Sequence, residues 1–307
     1  MTAARVAVAL FGPPGRGSFN ESGLAGAQRA QALGHALEVH WIEPQGTEDR
    51  ADALRRLCQQ GLDLLVAHGG QGDAPVAAMH AEFPEVRFAI TQGGYQAANV
   101  ACYEVLQEQS AFLAGVFAGL HSRTGVVGHL SGEKVRPGLK GRAAFAHGVA
   151  ASGTGCRFVT CFCGHQHRPA LAQATAEALQ REGADIVFAM IDGGRDGVSQ
   201  ACCNGPLRQI GNVLDWVARD PAVFVGSAVA DSGRCVAEAI DDFANDRFDP
   251  GQVRRHGLQD PDFVRLVLPP DLQARYGETL ALWQARLLSG EVVPADIYEG
   301  PELVAPV

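Results

Sequence analysis

The stretch "CFCGHQHRP" (161–169) sets Cys161, Cys163, His165 and His167 at alternate positions, offering the thiols and imidazoles that zinc prefers. On an extended strand alternate side chains share a face but step by about 6.6 Å, so four of them span about 20 Å. A tetrahedral zinc needs every ligand at about 2.0–2.3 Å. The four cannot converge unless the chain folds back after Gly164, and no metal is expected. The stretch reads instead as a strand end (161–163) followed by a loop (164–169) at the edge of a cleft, where His165 or Gln166 would touch a ligand.

Nucleophilic chemistry finds no frame. "VGHLSGE" and "FVGSAVA" lack the flanks of a Gly-x-Ser-x-Gly elbow. "GPPGRGSFN" does not have the spacing of a phosphate-binding loop. Asp192, Asp196, Asp215 and Asp231 could supply paired carboxylates, but nothing in the sequence constrains their separation, and "DGGRDG" (192–197) also reads as a turn capped by Asp. What remains is recognition. In "RGSFNESG", Ser18 or Asn20 can cap the following helix, whose first N–H groups suit polar ligand atoms. Phe19, in that polar glycine-rich loop, either packs as a lid or stacks on a flat ligand.

These residues need elements to hold them. "QQGLDLLVAHGG" (59–70) and "REGADIVFAMIDGG" (181–194) share one plan: helix end, Gly, one residue, Asp, apolar strand, Gly-Gly. The two copies lie about 120 residues apart. Around the first, strands at 5–11, 37–43, about 62–68 and 86–91 alternate with helices at 22–34, 50–61 and 74–82. The pattern then restarts: around the second, strands at 99–105, 125–132, 156–163, 184–191, 207–213 and 222–230 alternate with helices at 109–122, 138–152, 170–183 and 195–203. A helix over 232–248 and a tail with one strand-like run and a helix over 272–289 complete the chain. On the last helix Tyr276, Leu280, Trp283 and Leu287 form one stripe, the mark of a core-facing surface. Short strands alternating with helices make parallel sheets covered on both faces, and ligands sit beyond the carboxyl ends of such strands. The expected fold is α/β, two doubly wound lobes with their glycine loops facing a cleft.

The chain of 307 residues suffices for two domains, and 47% apolar content is that of a globular protein. A net charge of −9 without clustered Lys and Arg argues against nucleic acid. No run reaches 18 apolar residues, so no transmembrane segment is expected. "MTAARVAVALFGPPG" fits a buried first strand better than a signal-peptide core, an expectation of cytoplasmic residence. The eight irregularly spaced cysteines read as reduced thiols.

With these residues in view the chain resembles the basic-membrane-protein (BMP) family of ABC-transporter solute-binding proteins, which includes bacterial purine nucleoside receptors. The resemblance rests on "GSFNESGLAGAQRA" (17–30), "ALRRLCQQGLDLLVAHGG" (53–70), "FPEVRFAITQGG" (83–94), "EQSAFLAGVFAGLHSRTGVVGHLSG" (108–132), "EGADIVFAMIDGG" (182–194) and "LLSGEVVP" (287–294). It implies the type I periplasmic-binding-protein fold, with lobes of residues 1–103 plus 231–255 and 104–230 plus 256–307, a hinge, and a ligand in the cleft. It implies binding of a purine-like base or nucleoside without catalysis or cofactor, and a permease of an ABC transporter as partner. Carried over by position, Phe19 would stack on the base, flanked by Ser18 and Asn20. Gln92 stands where the family has an Asp toward the base edge, and Asp192 and Gly193 lie in its second glycine loop. Asn212 of "IGNV" stands for a ribose-binding Asp, and Ala230 of "SAVAD" for a Lys. Gly69, Gln166 and Trp216 complete the expected ligand-binding set. An enzyme on the same scaffold is the alternative, suggested by the Cys and His of "CFCGHQH" and "ACCNG" (201–205), and a cytoplasmic ligand-sensing regulator is a further one.

Overall fold

In the computed structural model, which describes residues 4–14, 19–44 and 46–306, the chain forms two compact units. One is Met1–Val105 with Asp231–Arg255, the other Leu106–Ala230 with His256–Val307. The first passage falls after Val105, not at Tyr103, because the strand that holds Tyr103 runs on to Val105.

The first unit contains β1 (Val6–Phe11), α1 (Phe19–Ala32), β2 (Leu37–Ile42), α2 (Thr47–Cys58), β3 (Leu64–His68), α3 (Asp73–Met79), β4 (Arg87–Thr91) and β5 (Val100–Val105). It is completed by α8 (Ser232–Ala244) and β11 (Val253–His256), numbered in chain order. Its sheet runs β11-β5-β4-β3-β1-β2, with β1 to β5 parallel. The all-apolar run of β1 is buried along its whole length, as a central strand covered on both faces must be. Ala7, Ala9, Phe11, Leu65, Ala67, Phe88 and Ile90 point into one apolar core with Leu54 and Leu57 of α2 and Met79 of α3.

The second unit contains α4 (Gln107–His121), β6 (Val126–Ser131), α5 (Arg136–Ala151), β7 (Arg157–Phe162), α6 (Pro169–Arg181), β8 (Ile186–Met190), α7 (Arg195–Asn204), β9 (Arg208–Val213) and β10 (Phe224–Ala230). After α8 and β11 come β12 (Val264–Val267) and α9 (Pro270–Leu288). Its sheet runs β12-β10-β9-β8-β6-β7, parallel except for β12, which pairs antiparallel with β10. On α9, Tyr276, Leu280 and Leu287 are buried, and Trp283 meets Phe112 of α4 edge to face at 5.5 Å.

Both sheets therefore use one order: second strand, first, third, fourth, fifth. Winding reverses between the first and third strands of each, at β1/β3 and at β6/β8. In doubly wound sheets this reversal leaves a crevice outside the carboxyl ends, where ligands bind.

Some boundaries differ from those expected. Helix α1 starts at Phe19, three residues before the expected start at position 22, so Asn20 lies inside the helix and does not cap it. Its Nδ2 donates to the Phe11 carbonyl at 2.9 Å, tying the first turn of α1 to the end of β1. Helix α8 ends at Ala244, short of position 248, and β11 was not expected at all.

Helix α8 reaches its place in the first unit by close packing on α1. A Cβ on Gly26 would lie 1.9 Å from the Gly233 carbonyl oxygen, and one on Gly233 would lie 1.8 Å from that of Ser22. The Ser22 and Ser232 hydroxyls lie 3.1 Å apart, and Arg29 pairs with Asp231 at 2.9 Å. Gly233→Ala must push the helices apart; overpacking of this kind costs about 1–3 kcal/mol. Urea unfolding of Gly233→Ala checks this, and an unchanged midpoint would refute the contact.

Candidate functional site

At the first reversal, β1 leads to α1 and β3 leads to Gly69. Ser18 lies outside the described residues. Phe19 opens α1, is half-buried, and stacks on the His68 ring with centroids 4.3 Å apart and planes 25° from parallel. Gly69 has φ 115° and ψ 156°, a region that only glycine adopts readily, and a Cβ there would stand 2.8 Å from the Phe19 ring.

His68 was not among the expected site residues. Its Nε2 lies 2.9 Å from the Phe19 carbonyl oxygen, and its Nδ1 lies 2.9 Å from the Thr91 hydroxyl on β4. A carbonyl can only accept, so Nε2 carries the proton and Nδ1 accepts from Thr91. A Cβ on Gly23 would come within 2.5 Å of the ring, so α1 lies directly over it. The histidine is fully buried, and burial holds its pKa down to about 4, partly offset by the Phe19 carbonyl. A neutral imidazole thus fixes the first turn of α1 and with it Phe19.

Gln92 follows β4. It has φ 56°, uncommon outside glycine, and is 2% exposed. Its N–H donates to the Tyr103 carbonyl at 2.9 Å, and its side-chain Oε1 accepts the Val105 N–H at 2.6 Å.

At the second reversal, β8 leads into Asp192, Gly193 and Gly194, all buried. The Gly194 N–H donates to the Gln166 carbonyl at 2.8 Å, and the Gly193 N–H to His167 Nδ1 at 3.4 Å. His165 Nδ1 accepts the His167 N–H at 2.9 Å. The His167 imidazole thus links its loop to the one after β8, and the His165 imidazole closes its own loop. Among the described residues no group of three or more His, Cys, Asp or Glu is placed to hold a metal ion. Cys161 is buried in the core, which pushes its thiol up to about 11. A Cβ on Gly132, just after β6, would strike the Gln166 side chain at 2.5 Å, so Gln166 lies over the end of that strand.

Arg195, the first residue of α7, was also not expected. It is 2% exposed, and burial lowers its pKa to about 10 against the raising influence of Asp192 and Asp196. Its guanidinium donates to the Ile191 carbonyl at 2.7 Å, the Ala189 carbonyl at 3.1 Å, Gln209 Oε1 at 3.1 Å, and Asn212 Oδ1. It stitches the end of β8 to β9. Asn212, half-buried near the end of β9, precedes Val213, whose φ of 68° is a marked outlier for a β-branched residue. The Asn212 carbonyl accepts from Trp216 Nε1 at 3.0 Å and from the Leu214 N–H at 2.8 Å. The Trp216 ring stacks on Phe224 at 5.2 Å, with the guanidinium carbons of Arg195 and Arg219 at 4.6 and 5.0 Å from its centroid. Its geometry is that of a support for Asn212.

Among the carboxylates considered for chemistry, Asp231 is taken by Arg29, and Asp215 accepts the Ala218 N–H at 3.1 Å.

Two α/β units of one plan, each with a glycine loop at its winding reversal, make up the fold that periplasmic-type solute-binding proteins share. The chain belongs to the Bmp family, described as ABC transporter substrate-binding protein PnrA-like, whose model matches residues 3–296. It is similar to the transcriptional activator protein Med of Bacillus subtilis (26% identity over 180 residues, 58% of this chain and 56% of that protein). It is similar also to a purine-binding protein of Brucella abortus (24% over 187 residues, 60% of this chain and 53% of that protein). The matched region thus spans little more than half of either relative. A solved ABC-transporter solute-binding protein from Aeropyrum pernix shares the fold at TM-score 0.81 and 21% identity, covering 99% of this chain and 94% of that one. A transcriptional activator of the comK gene from Bacillus halodurans shares it at TM-score 0.71 and 17% identity, covering 92% and 98%.

The depressed pKa of His68 predicts a pH dependence. Between the ordinary value near 6.5 and about 4 the unfolded chain binds a proton that the folded one does not, so stability falls as the solution is acidified through that window. The slope is about 1.4 kcal/mol per pH unit for each such group. His129, also buried and held down to about 3, adds a second contribution. Urea unfolding from pH 7 to pH 4 should show the decline, and His68→Gln should flatten it; an equal slope in both proteins would contradict a neutral His68.

Proposed function

We propose that the chain binds a small planar solute, a purine-like nucleobase, and releases it unchanged. The observation that carries this is the half-buried Phe19 ring, held by His68 at the winding reversal of its sheet. An aromatic ring at such a point offers a stacking surface that any flat heterocycle can use. Within the first unit the reading assigns ligand contacts to Gln92 and Gly69, and within the second, taken by itself, to Gln166, Asp192, Gly193 and Asn212. Membership in a family of substrate-binding proteins supports binding without catalysis, and the relative named a purine-binding protein supports the ligand class.

A free base is favoured over a nucleoside. Asn212 is a neutral amide, and Ala230 is a buried methyl at the end of β10. Neither supplies the charge-assisted hydrogen bonds to ribose, on the order of 1.5–3 kcal/mol each, that an Asp and a Lys would give.

An ABC-transporter permease is the partner this family implies. A second reading, a ligand-sensing regulator, is favoured by the two relatives named transcriptional activators. Uptake of labelled base that disappears on deletion supports transport, whereas unchanged uptake with altered transcription supports sensing.

Thermal unfolding against a panel of bases and nucleosides tests the ligand. A base at 100 times its Kd should stabilise the protein by about 2.7 kcal/mol. Phe19→Ala should weaken binding at least about tenfold, the loss expected for one base–aromatic stack. Stabilisation by nucleosides and not by bases, or full affinity in Phe19→Ala, would overturn the reading.

A further inference from the structure

Each sheet ends in two edge strands: β11 and β2 in the first unit, β12 and β7 in the second. An edge strand offers unpaired N–H and C=O groups to any strand that approaches, and folded chains usually guard it with charge, proline, a short length or a covering segment. Three of these edges are guarded. β11 has four residues and carries Arg254 and Arg255. β12 has four residues and carries Arg265, with Pro269 and Pro270 just beyond it. β7 is covered by the chain's own C-terminal segment: the Leu303 N–H donates to the Thr160 carbonyl at 2.8 Å, between Pro301 and Pro306.

β2 holds the same place in its sheet as β7, beside the first strand, but it has six residues, "LEVHWI", without Lys, Arg or Pro. Among the described residues β1 is its one strand partner, and no backbone hydrogen bond reaches its outer side. The Gly12 N–H, just after β1, donates to the Ile42 carbonyl at 2.9 Å, so the backbone of Ile42 faces β1. Successive residues of a strand turn their N–H and C=O groups to opposite sides. Those of Glu38 and His40 therefore face β1 as well, and those of Leu37, Val39 and Trp41 face outward. The apolar side chains of these three share one face of the sheet and are only half-buried. Glu38 and His40 lie on the other face, 3.2 Å apart, with 70% and 30% of their side chains exposed.

This strand is complementary to itself in the reverse direction. Let two copies meet antiparallel, with a two-fold axis at Val39. The backbone of Val39 then meets that of the other Val39, and the backbone of Leu37 meets that of Trp41, so every outward-facing group in the run finds a partner. At the intervening positions, where opposed side chains come closest, Glu38 falls opposite His40 on both sides of the axis. A carboxylate across from an imidazole, and an aromatic across from an aliphatic side chain, both favour an antiparallel pair. An axis at Glu38 or at His40 would set like residues against each other and bring up backbone already bonded to β1.

We infer that the outer edge of β2 is a self-association surface, on which a second copy of this chain adds its own β2 in antiparallel register centred on Val39. Two first-unit sheets thereby join into one across a two-fold axis. The surface lies wholly in the first unit and is independent of any ligand.

Sedimentation equilibrium over a range of protein concentrations tests this pairing. The mass of the wild-type protein should rise from that of one chain to that of two. Val39→Pro removes an outward N–H without taking a bond from the ladder to β1. By symmetry it deletes two hydrogen bonds at the axis and should raise the dimer Kd at least about tenfold. Glu38→Lys sets an ammonium opposite His40 twice and should raise the Kd about tenfold. Glu38 is exposed, so this variant keeps its fold and carries the test if Val39→Pro does not. The double exchange Glu38→Lys with His40→Glu restores complementary pairs across the axis and should return the Kd to that of the wild type. A wild-type protein that remains a single chain at every concentration overturns the inference. So does a dimer whose Kd is unmoved by Glu38→Lys, or is not recovered by the double exchange.

Discussion

Each sheet reverses its winding after its first strand, and the rest of the molecule follows from that reversal. Helices that cover opposite faces must diverge there, so the carboxyl ends of β1 and β3, and of β6 and β8, end in loops that no connection crosses. Those four strand ends carry Phe19, Gly69, Gly132 and the Asp192–Gly193–Gly194 run. The glycines answer a steric demand. At Gly69 the chain turns beneath the Phe19 ring, and at Gly132 it passes beneath the Gln166 side chain, where a single added carbon would collide.

Much of this was legible in the sequence because parallel strands buried on both faces are nearly unbroken apolar runs, and helices here stop at glycine. "VAVALF", "LLVAH" and "IVFAM" cannot be exposed anywhere, and their alternation with helices allows few topologies. The edge strand β11, "VRRH", escaped notice because four largely polar residues at a sheet edge have no pattern to distinguish them from a loop. The early start of α1 escaped for a similar reason: the residues before it, "GPPGRGS", are turn formers except for Arg16.

The site was legible only in part. Phe19 and the paired glycines stood out because an aromatic in a polar loop and a doubled glycine after a strand both require explanation. His68 and Arg195 did not. A histidine closing an apolar strand looks like that strand's solvated end, and an arginine after two glycines looks like a surface charge. Their burial depends on partners far off in the sequence: Thr91 for the histidine, and Gln209 and Asn212 for the arginine. Trp216, expected in the ligand-binding set, has its indole N–H on the Asn212 carbonyl and its ring stacked on Phe224.

His68 and Arg195 meet one mechanical problem with opposite electrostatics. A ligand contact at a strand end needs a fixed backbone, but the strand end has just lost its ladder of hydrogen bonds. In the first unit a neutral imidazole spans the gap, donating to the Phe19 carbonyl and accepting from Thr91, so no charge is buried. In the second unit three carbonyl-type oxygens and the Asn212 amide must be gathered at once, which exceeds the one donor of a neutral imidazole. A guanidinium has five donors in a fixed fork and can gather them all. Its desolvation is costly, but each charge-assisted bond is roughly twice as strong as a neutral one, and Asp192 and Asp196 stabilise the cation through space. The guanidinium thereby fixes the Asn212 side chain in the second unit, where the imidazole of His68 fixes the Phe19 ring in the first.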